Sequence, residues 1–146
     1  MTTMSTKKML RVVGLALALV AGAAQAEQLA VIAHPSTKAA GISTDALAQI
    51  YLDKAKSLPD GTPAEPIDQP EGTPQREKFY LDVTSKDERA LKSYWSKRMF
   101  TGKGKPPQVL PNDREVKEYV ARTPGAIGYV NGGAVDGSVK ILLILP

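Results

Sequence analysis

Three short apolar runs, separated by helix-like segments, place the strongest constraint on the fold of this chain. The runs span residues 29–33, 126–130 and 139–145, and each is typical of a strand buried on both faces. Residues 64–68 are predicted to form a short second strand, and residues 108–110 a brief extended piece. Strands that alternate with helices predict an α/β fold in which helices cover both faces of one sheet, a three-layer α-β-α arrangement.

Capping residues mark where the shorter helices begin. Ser43 precedes a segment in which Leu47, Ile50 and Tyr51 are spaced so that they share one helical face. Asn112 precedes another segment with the same kind of apolar spacing. Both residue types can accept a hydrogen bond from an amide of the first helical turn, so they predict two helix starts.

The longest helix is predicted at about residues 86–100, opened by a capping box between Ser85 and Glu88 and stopped at Gly102. Its core-facing stripe consists of Leu91, Trp95 and Met99. Basic residues cluster around its end, namely Lys97, Arg98, Lys103 and Lys105. Cations favour a helix C-terminus because they offset its dipole, and the alternative is a docking patch for an acidic partner.

The turn after the second strand is the candidate binding site. Gly72 is followed by Thr73, a plausible N-cap, and by Pro74, which fits the first helical position. The first turn of that helix would offer free N–H groups and a positive dipole end, the geometry that holds phosphate, sulfate or carboxylate. Arg76 could add a fork of donors, whereas Glu71 would repel an anion. A capped helix start that binds only water is the alternative.

The first 26 residues have the pattern of a secretory signal peptide. A basic start leads into an apolar run over residues 12–21, which is too short to span a bilayer comfortably. Residues 24–26 form an A-x-A cleavage site. We therefore expect a mature, periplasmic chain over residues 27–146 with no membrane span, and a retained anchor is the alternative.

The formal charge of +4 depends on that leader. The leader contains Lys7, Lys8 and Arg11 but no acidic residue, so 16 basic and 15 acidic residues remain and the net charge falls to +1. A nearly neutral chain gives no support for nucleic-acid binding. The mature chain of 120 residues has the size of one domain with a single core.

Few residues that carry chemistry are present. His34 is the only histidine and there is no cysteine, which excludes ordinary zinc sites and most nucleophile pairs. Residues 102–105 form a basic glycine loop that lacks the spacing of a P-loop. The sequence therefore predicts no metal, no cofactor and no enzymatic activity.

Two stretches fit recognisable patterns. Residues 47–54, followed by Asp60-Gly61, are similar to the pattern L-x-x-I-Y-L-G-K…W-x-D-G, in which Asp53 and Leu58 replace the glycine and the tryptophan. Residues 123–130 match the pattern T-P-x-x-I-G-Y-V. In both patterns the chain resembles the phosphate-specific periplasmic substrate-binding proteins of ABC importers, and more closely their small stand-alone relatives.

The glycine turn is the third point of resemblance. Residues 71–74 with Phe79 fall where the family has its D-G-S-G-T…F phosphate loop. Pro74 and Gln75 occupy the places of the second glycine and the threonine, and the family's arginine falls near residues 68–69. The loop is therefore altered at positions that hold the ligand in the family.

The resemblance implies a type II periplasmic-binding-protein fold with a mixed sheet, reduced to a single lobe. Full binding proteins close two lobes on the ligand, and only the hinge strand and the second lobe are represented here. The implied ligand residues are Gly72, Thr73, Gln75 and Arg76, with Arg76 as a substitute cation. A single lobe buries its ligand from one side only, so we expect low affinity.

Two functions are compatible with these features. The first is binding of phosphate or a similar small oxyanion in association with ABC-type phosphate uptake, with an ABC permease or another envelope protein as partner. The alternative is a ligand-less interaction module, in which the edge exposed by the absent lobe docks another protein or a second copy.

Overall fold

The structure is a computed structural model that describes residues 28–146, so the predicted signal peptide lies outside the described residues. The strands are β1 (Leu29–Ala33), β2 (Glu65–Asp68), β3 (Gln108–Val109), β4 (Ala126–Asn131) and β5 (Lys140–Leu145). The helices are α1 (Thr44–Tyr51), α2 (Pro74–Thr84), α3 (Glu88–Phe100) and α4 (Asp113–Arg122), and a 3₁₀ turn, Gly132–Ala134, follows β4.

The five strands form one mixed sheet in the order β3-β2-β4-β1-β5. β1 runs antiparallel to β4 and β5, whereas β2 runs parallel to both β3 and β4. All five residues of β1 are buried, as its uninterrupted apolar sequence requires. The prediction of an α/β fold with a mixed sheet is confirmed.

Helices cover both faces of this sheet and create two apolar clusters. Val31 and Ala33 of β1 face a cluster with α1, α2 and α3, while Ala30 and Ile32 face a second cluster with α4. Alternate residues of a strand point to opposite faces, so β1 belongs to both clusters. The molecule therefore has three layers, as predicted.

Close contact between α4 and the sheet depends on Gly128. A Cβ atom at this position would lie 2.6 Å from Val116 Cγ1 and 3.4 Å from Val120 Cγ2. Any larger residue would push α4 away from β4. The glycine in the I-G-Y segment therefore has a packing role.

Two predicted caps are confirmed and the capping box is wrong. The Ser43 hydroxyl accepts a hydrogen bond from the Ala46 amide, and the Asn112 side chain accepts one from Glu115. Ser85 instead ends α2 in a left-handed conformation with φ of 59°. Asp87 caps α3, which leaves the Glu88 side chain free for a different partner.

Burial differs from the prediction at three apolar positions, one in α3 and two in β5. Met99 is 56% exposed because the end of α3 extends beyond the region that Leu91 and Trp95 bury. In β5, Ile141 and Ile144 are each 42% exposed, because this strand lies at the edge of the sheet. The apolar sequence correctly predicted α3 and β5, but it did not predict how much of each element the rest of the protein covers.

Aromatic side chains fill the space between α1, α2 and β4. Phe79 stacks on Tyr129 with ring centroids 4.0 Å apart, and Tyr51 meets Phe79 edge-on at 4.6 Å. The Tyr51 hydroxyl donates to the carbonyl groups of Ile67 and Ile127. This cluster fixes α2 against the end of the sheet where the candidate site lies.

Candidate functional site

The candidate site lies beyond the carboxyl ends of three parallel strands. β2, β3 and β4 run in the same direction, so their carboxyl ends lie on the same side of the sheet. The chain continues from β2 into α2 and from β3 into α4, so two helix N-termini also lie on that side. Ligands of open α/β sheets commonly bind in a crevice outside the carboxyl ends of the strands.

The turn into α2 has the predicted backbone conformation. Gly72 has φ of +86°, in the left-handed region where a Cβ atom is disfavoured. Thr73 is extended and Pro74 is the first helical residue. The Thr73 hydroxyl does not cap the helix, since it donates to the Pro70 carbonyl at 2.8 Å.

Two amides of the first turn are available for a ligand. Among residues 28–146, the N–H groups of Gln75 and Arg76 have no acceptor, and the first helical bond runs from the Glu77 amide to the Thr73 carbonyl. The Glu71 carboxylate does not occupy them, because it pairs with Lys92 at 2.5 Å. Both free amides belong to residues predicted to bind the ligand.

Arg76 is held by protein carboxylates. Its Nη1 atom donates to Asp68 and to the Gln69 carbonyl, each at 3.2 Å. Its Nε and Nη2 atoms donate to the two oxygens of Glu88 at 3.2 and 3.0 Å. Four of the five guanidinium N–H bonds are therefore used within the protein, which leaves one for any ligand.

Asp68 is the buried centre of this network. It is only 2% exposed and accepts hydrogen bonds from the hydroxyl groups of Tyr80 and Tyr129, both at 2.5 Å. Burial raises the pKa of Asp68 and outweighs the lowering effects of Arg76 and the two hydroxyls. Burial and the Asp68 charge also raise the pKa of Tyr80 and Tyr129, so both hydroxyls remain protonated donors.

Gln69 connects the same turn to α4. Its side-chain amide donates to the Asp113 carboxylate at 2.7 Å and to the Tyr129 carbonyl at 2.9 Å. Asp113 in turn accepts from the Asn131 amide at 3.1 Å. Gln69 is 1% exposed. It falls near the arginine of the phosphate-loop pattern that the sequence resembles, so a neutral side chain with partners inside the protein stands where that pattern has a cation.

The electrostatics of the site favour hydrogen bonding over ion pairing. Arg76 faces two carboxylates, Asp68 and Glu88, and Glu71 is neutralised by Lys92. An incoming anion therefore meets no unpaired cation among these groups, and its attraction comes from amide dipoles at the start of α2. The turn therefore presents amide hydrogen-bond donors rather than an unpaired side-chain charge.

Sequence reasoning located the turn but missed most of the network behind it. Gly72, Thr73, Gln75 and Arg76 lie together at one turn. Asp68 and Gln69 were noted only as the place of a missing arginine, and Glu88 was assigned to a cap. The available signal for the network was a pair of adjacent polar residues, Asp68 and Gln69, at the end of a strand.

No metal centre or membrane span is found in the part of the chain that the structure describes. Histidine, aspartate and glutamate side chains of residues 28–146 form no group of three or more that could hold a metal ion. None of the described helices combines the length and apolarity needed to cross a bilayer.

Comparison with solved structures identifies the fold. A Clostridium perfringens protein, described as a phosphate ABC transporter substrate-binding protein with bound phosphate, matches 80% of this chain with a TM-score of 0.64 and 20% identity. An ABC-type phosphate transport receptor from Vibrio cholerae matches with a TM-score of 0.63 and 15% identity, again over 80% of the chain. The chain has the fold of one lobe of a periplasmic binding protein.

The lobe spans less than half the length of the proteins it matches. It covers 44% of the Clostridium protein, 45% of the Vibrio receptor and 46% of PstS from Borrelia burgdorferi. The Borrelia structure matches 80% of the lobe with a TM-score of 0.61 and 18% identity. No family model and no curated protein sequence matches the chain.

Proposed function

We propose that this chain is an exported, periplasmic, non-enzymatic protein that binds phosphate or a similar small oxyanion in association with ABC-type phosphate uptake. The observation that carries the proposal is the pair of acceptor-free amides of Gln75 and Arg76 at the first turn of α2. Support also comes from the fold, because the solved proteins that share it include phosphate transport receptors.

The proposed ligand lies over the turn at Gly72 and accepts hydrogen bonds from these two amides. The Thr73 hydroxyl can join them only by rotating away from the Pro70 carbonyl. Hydrogen bonds to a charged group contribute about 1.5–3 kcal/mol each. Two such bonds, less the entropy of association, correspond to a dissociation constant of roughly 1 mM or weaker.

Amide chemical shifts provide the direct test. Phosphate is titrated into the isotopically labelled protein at constant ionic strength, and backbone ¹H–¹⁵N shifts are followed. We expect saturable shifts centred on the amides of Gln75 and Arg76. The Arg114 amide is the matched control, because it occupies the second position of α4 and also has no acceptor among the described residues.

A proline substitution sharpens this test. Gln75→Pro removes one of the two donors at a position where a helix tolerates proline, and we expect about a tenfold weaker phosphate affinity. Arg114→Pro removes the equivalent donor of α4 and should leave the affinity unchanged. Equal shifts at both helix starts, or no saturation at tens of millimolar phosphate, would contradict the proposal.

A further inference from the structure

The end of α3 exposes a pair of apolar side chains. Phe100 is 92% exposed and Met99 is 56% exposed, and they are the last two residues of the helix. Isolated exposed apolar residues are common on protein surfaces. Here two large ones are adjacent, and the following residues 101–103 are also exposed.

The same segment has a high density of positive charge. Residues 97–105 form what we call the basic tip, and its cations are Lys97, Arg98, Lys103 and Lys105. The tip contains no acidic residue. The helix dipole accounts for cations in the last turn of α3, but Lys103 and Lys105 follow the helix and therefore need another explanation.

Contacts with the body of the protein hold the backbone of the basic tip in place. Arg98 Nη2 donates to the carbonyl groups of Asp53 and Lys103, at 3.0 and 3.3 Å. The Lys105 amide donates to the Asp53 carboxylate at 3.2 Å. A Cβ atom on Gly104 would lie 2.7 Å from that carboxylate, so the loop approaches Asp53 as closely as a glycine allows.

These contacts use the Arg98 side chain and the main chain of the loop, and they leave the lysine side chains exposed. Lys97, Lys103 and Lys105 are all exposed, as is Phe100 between them. Lys54 and Lys56 follow Asp53 in the chain and are exposed too, and Lys56 pairs with the Asp53 carboxylate. The result is an exposed apolar pair bordered by several cations, with Asp53 as the carboxylate that anchors the loop.

We propose that the basic tip docks peripherally on an anionic phospholipid surface. Exposed aromatic side chains beside lysines are the composition that binds membrane interfaces, and each cation near an anionic leaflet adds to the attraction. Residues 99–103 are all exposed, which suits contact with a deformable lipid surface. Lysine acts as a point charge that can meet lipid phosphates without fixed geometry. This proposal is independent of the phosphate site at α2.

Vesicle sedimentation tests the apolar part of the proposal. The full chain is mixed with vesicles of phosphatidylglycerol and phosphatidylcholine, or of phosphatidylcholine alone. We expect partitioning into the anionic vesicles that falls about tenfold in Phe100→Ser. Leu81→Ser is the control, because Leu81 is 51% exposed on α2, away from the basic tip, and partitioning should be unchanged.

Charge reversal tests the electrostatic part. The double variant Lys103→Glu and Lys105→Glu should lower partitioning by at least about tenfold, and high salt should reduce the wild-type value. The double variant Arg89→Glu and Arg114→Glu makes the same change in net charge at exposed positions elsewhere and should retain most of the binding.

Comparison among variants of the full chain keeps any contribution of residues 1–27 constant. The proposal fails if Phe100→Ser partitions like wild type, or if both double variants lose binding equally. It also fails if the wild-type protein binds neutral and anionic vesicles alike. Binding to a soluble acidic polypeptide without binding to anionic vesicles would overturn it in favour of an acidic protein partner.

Discussion

Asp68 and Asp53 are both paired with cations, but their surroundings shift their pKa values in opposite directions. Asp68 is 2% exposed, and burial raises its pKa in spite of Arg76. Partial burial would also raise the pKa of Asp53, but Lys56, the Lys105 amide and Arg98 together outweigh it and lower the pKa. One aspartate lies inside a closed network and the other lies under a surface loop.

The difference shows how two clusters of charge can have different roles in a small protein. Around Asp68, two tyrosine hydroxyls and four of the five Arg76 N–H bonds are satisfied within the molecule, so this cluster fixes β2, α2 and α3 relative to one another. Around Asp53, the side chains of Arg98 and Lys56 and the Lys105 amide provide the contacts, and the lysine side chains of the basic tip remain exposed. The first cluster therefore provides structure, and the second provides a surface.

Asp68→Ala should have the largest effect. It removes the acceptor of two buried hydroxyls and one partner of a largely buried arginine, and breaking such a pair costs about 3–5 kcal/mol of unfolding free energy. Urea denaturation measures this loss. Asp53→Ala is the surface comparison and should cost about 1–2 kcal/mol, so equal losses would remove the distinction between the clusters.

The pH dependence of stability should differ in sign between the two aspartates. The raised folded-state pKa of Asp68 gives a contribution that is fully present below its ordinary value of 3.8 and is lost as pH rises through the folded-state pKa. The lowered pKa of Asp53 gives one that is present above 3.8 and is lost as pH falls through its folded-state pKa.

Unfolding free energies of wild type, Asp68→Asn and Asp53→Asn, measured as the pH is lowered from neutral into the acid range, test this difference. The advantage of wild type over Asp68→Asn should increase as pH falls. Its advantage over Asp53→Asn should decrease. Parallel pH profiles for the two variants would show that the two sites do not differ as described.

Backbone conformation at Asp53 should produce the smallest effect. Asp53 has φ of 56°, which a glycine adopts without cost. Asp53→Gly and Asp53→Ala lose the same side-chain contacts, so the glycine variant should be about 1 kcal/mol more stable than the alanine variant.

Thermal unfolding measures this difference, and the control is the pair Ser96→Gly and Ser96→Ala. Ser96 is exposed within α3, and there the order should reverse because glycine is the poorer helix former. If alanine is the more stable residue at both positions, the left-handed conformation of Asp53 does not contribute to the difference.

The sequence predicted those features that depend on neighbouring residues. The strand at residues 29–33, the caps Ser43 and Asn112, and the turn at Gly72 were predicted correctly because each has a local signal. The family pattern also places a glycine at position 53, and the positive φ of Asp53 gives the physical reason.

Features that depend on distant contacts were not predicted. The partners of Arg76 lie eight residues before it and twelve residues after it, and only the packing of α2 against α3 brings them together. The Ser85–Glu88 pattern suited a cap, but Asp87 serves as well and leaves Glu88 for Arg76. Periodicity placed Met99 on the core side without indicating where the core ends.

The position of α3 has a consequence for spectroscopy. Glu88 at its first turn belongs to the Asp68 cluster, and Phe100 at its other end belongs to the basic tip. Trp95, the single tryptophan of the chain, is 7% exposed between them and meets the Tyr94 ring edge-on at 5.0 Å. Its fluorescence emission is therefore a built-in reporter for the helix that joins both regions, readable without any attached dye.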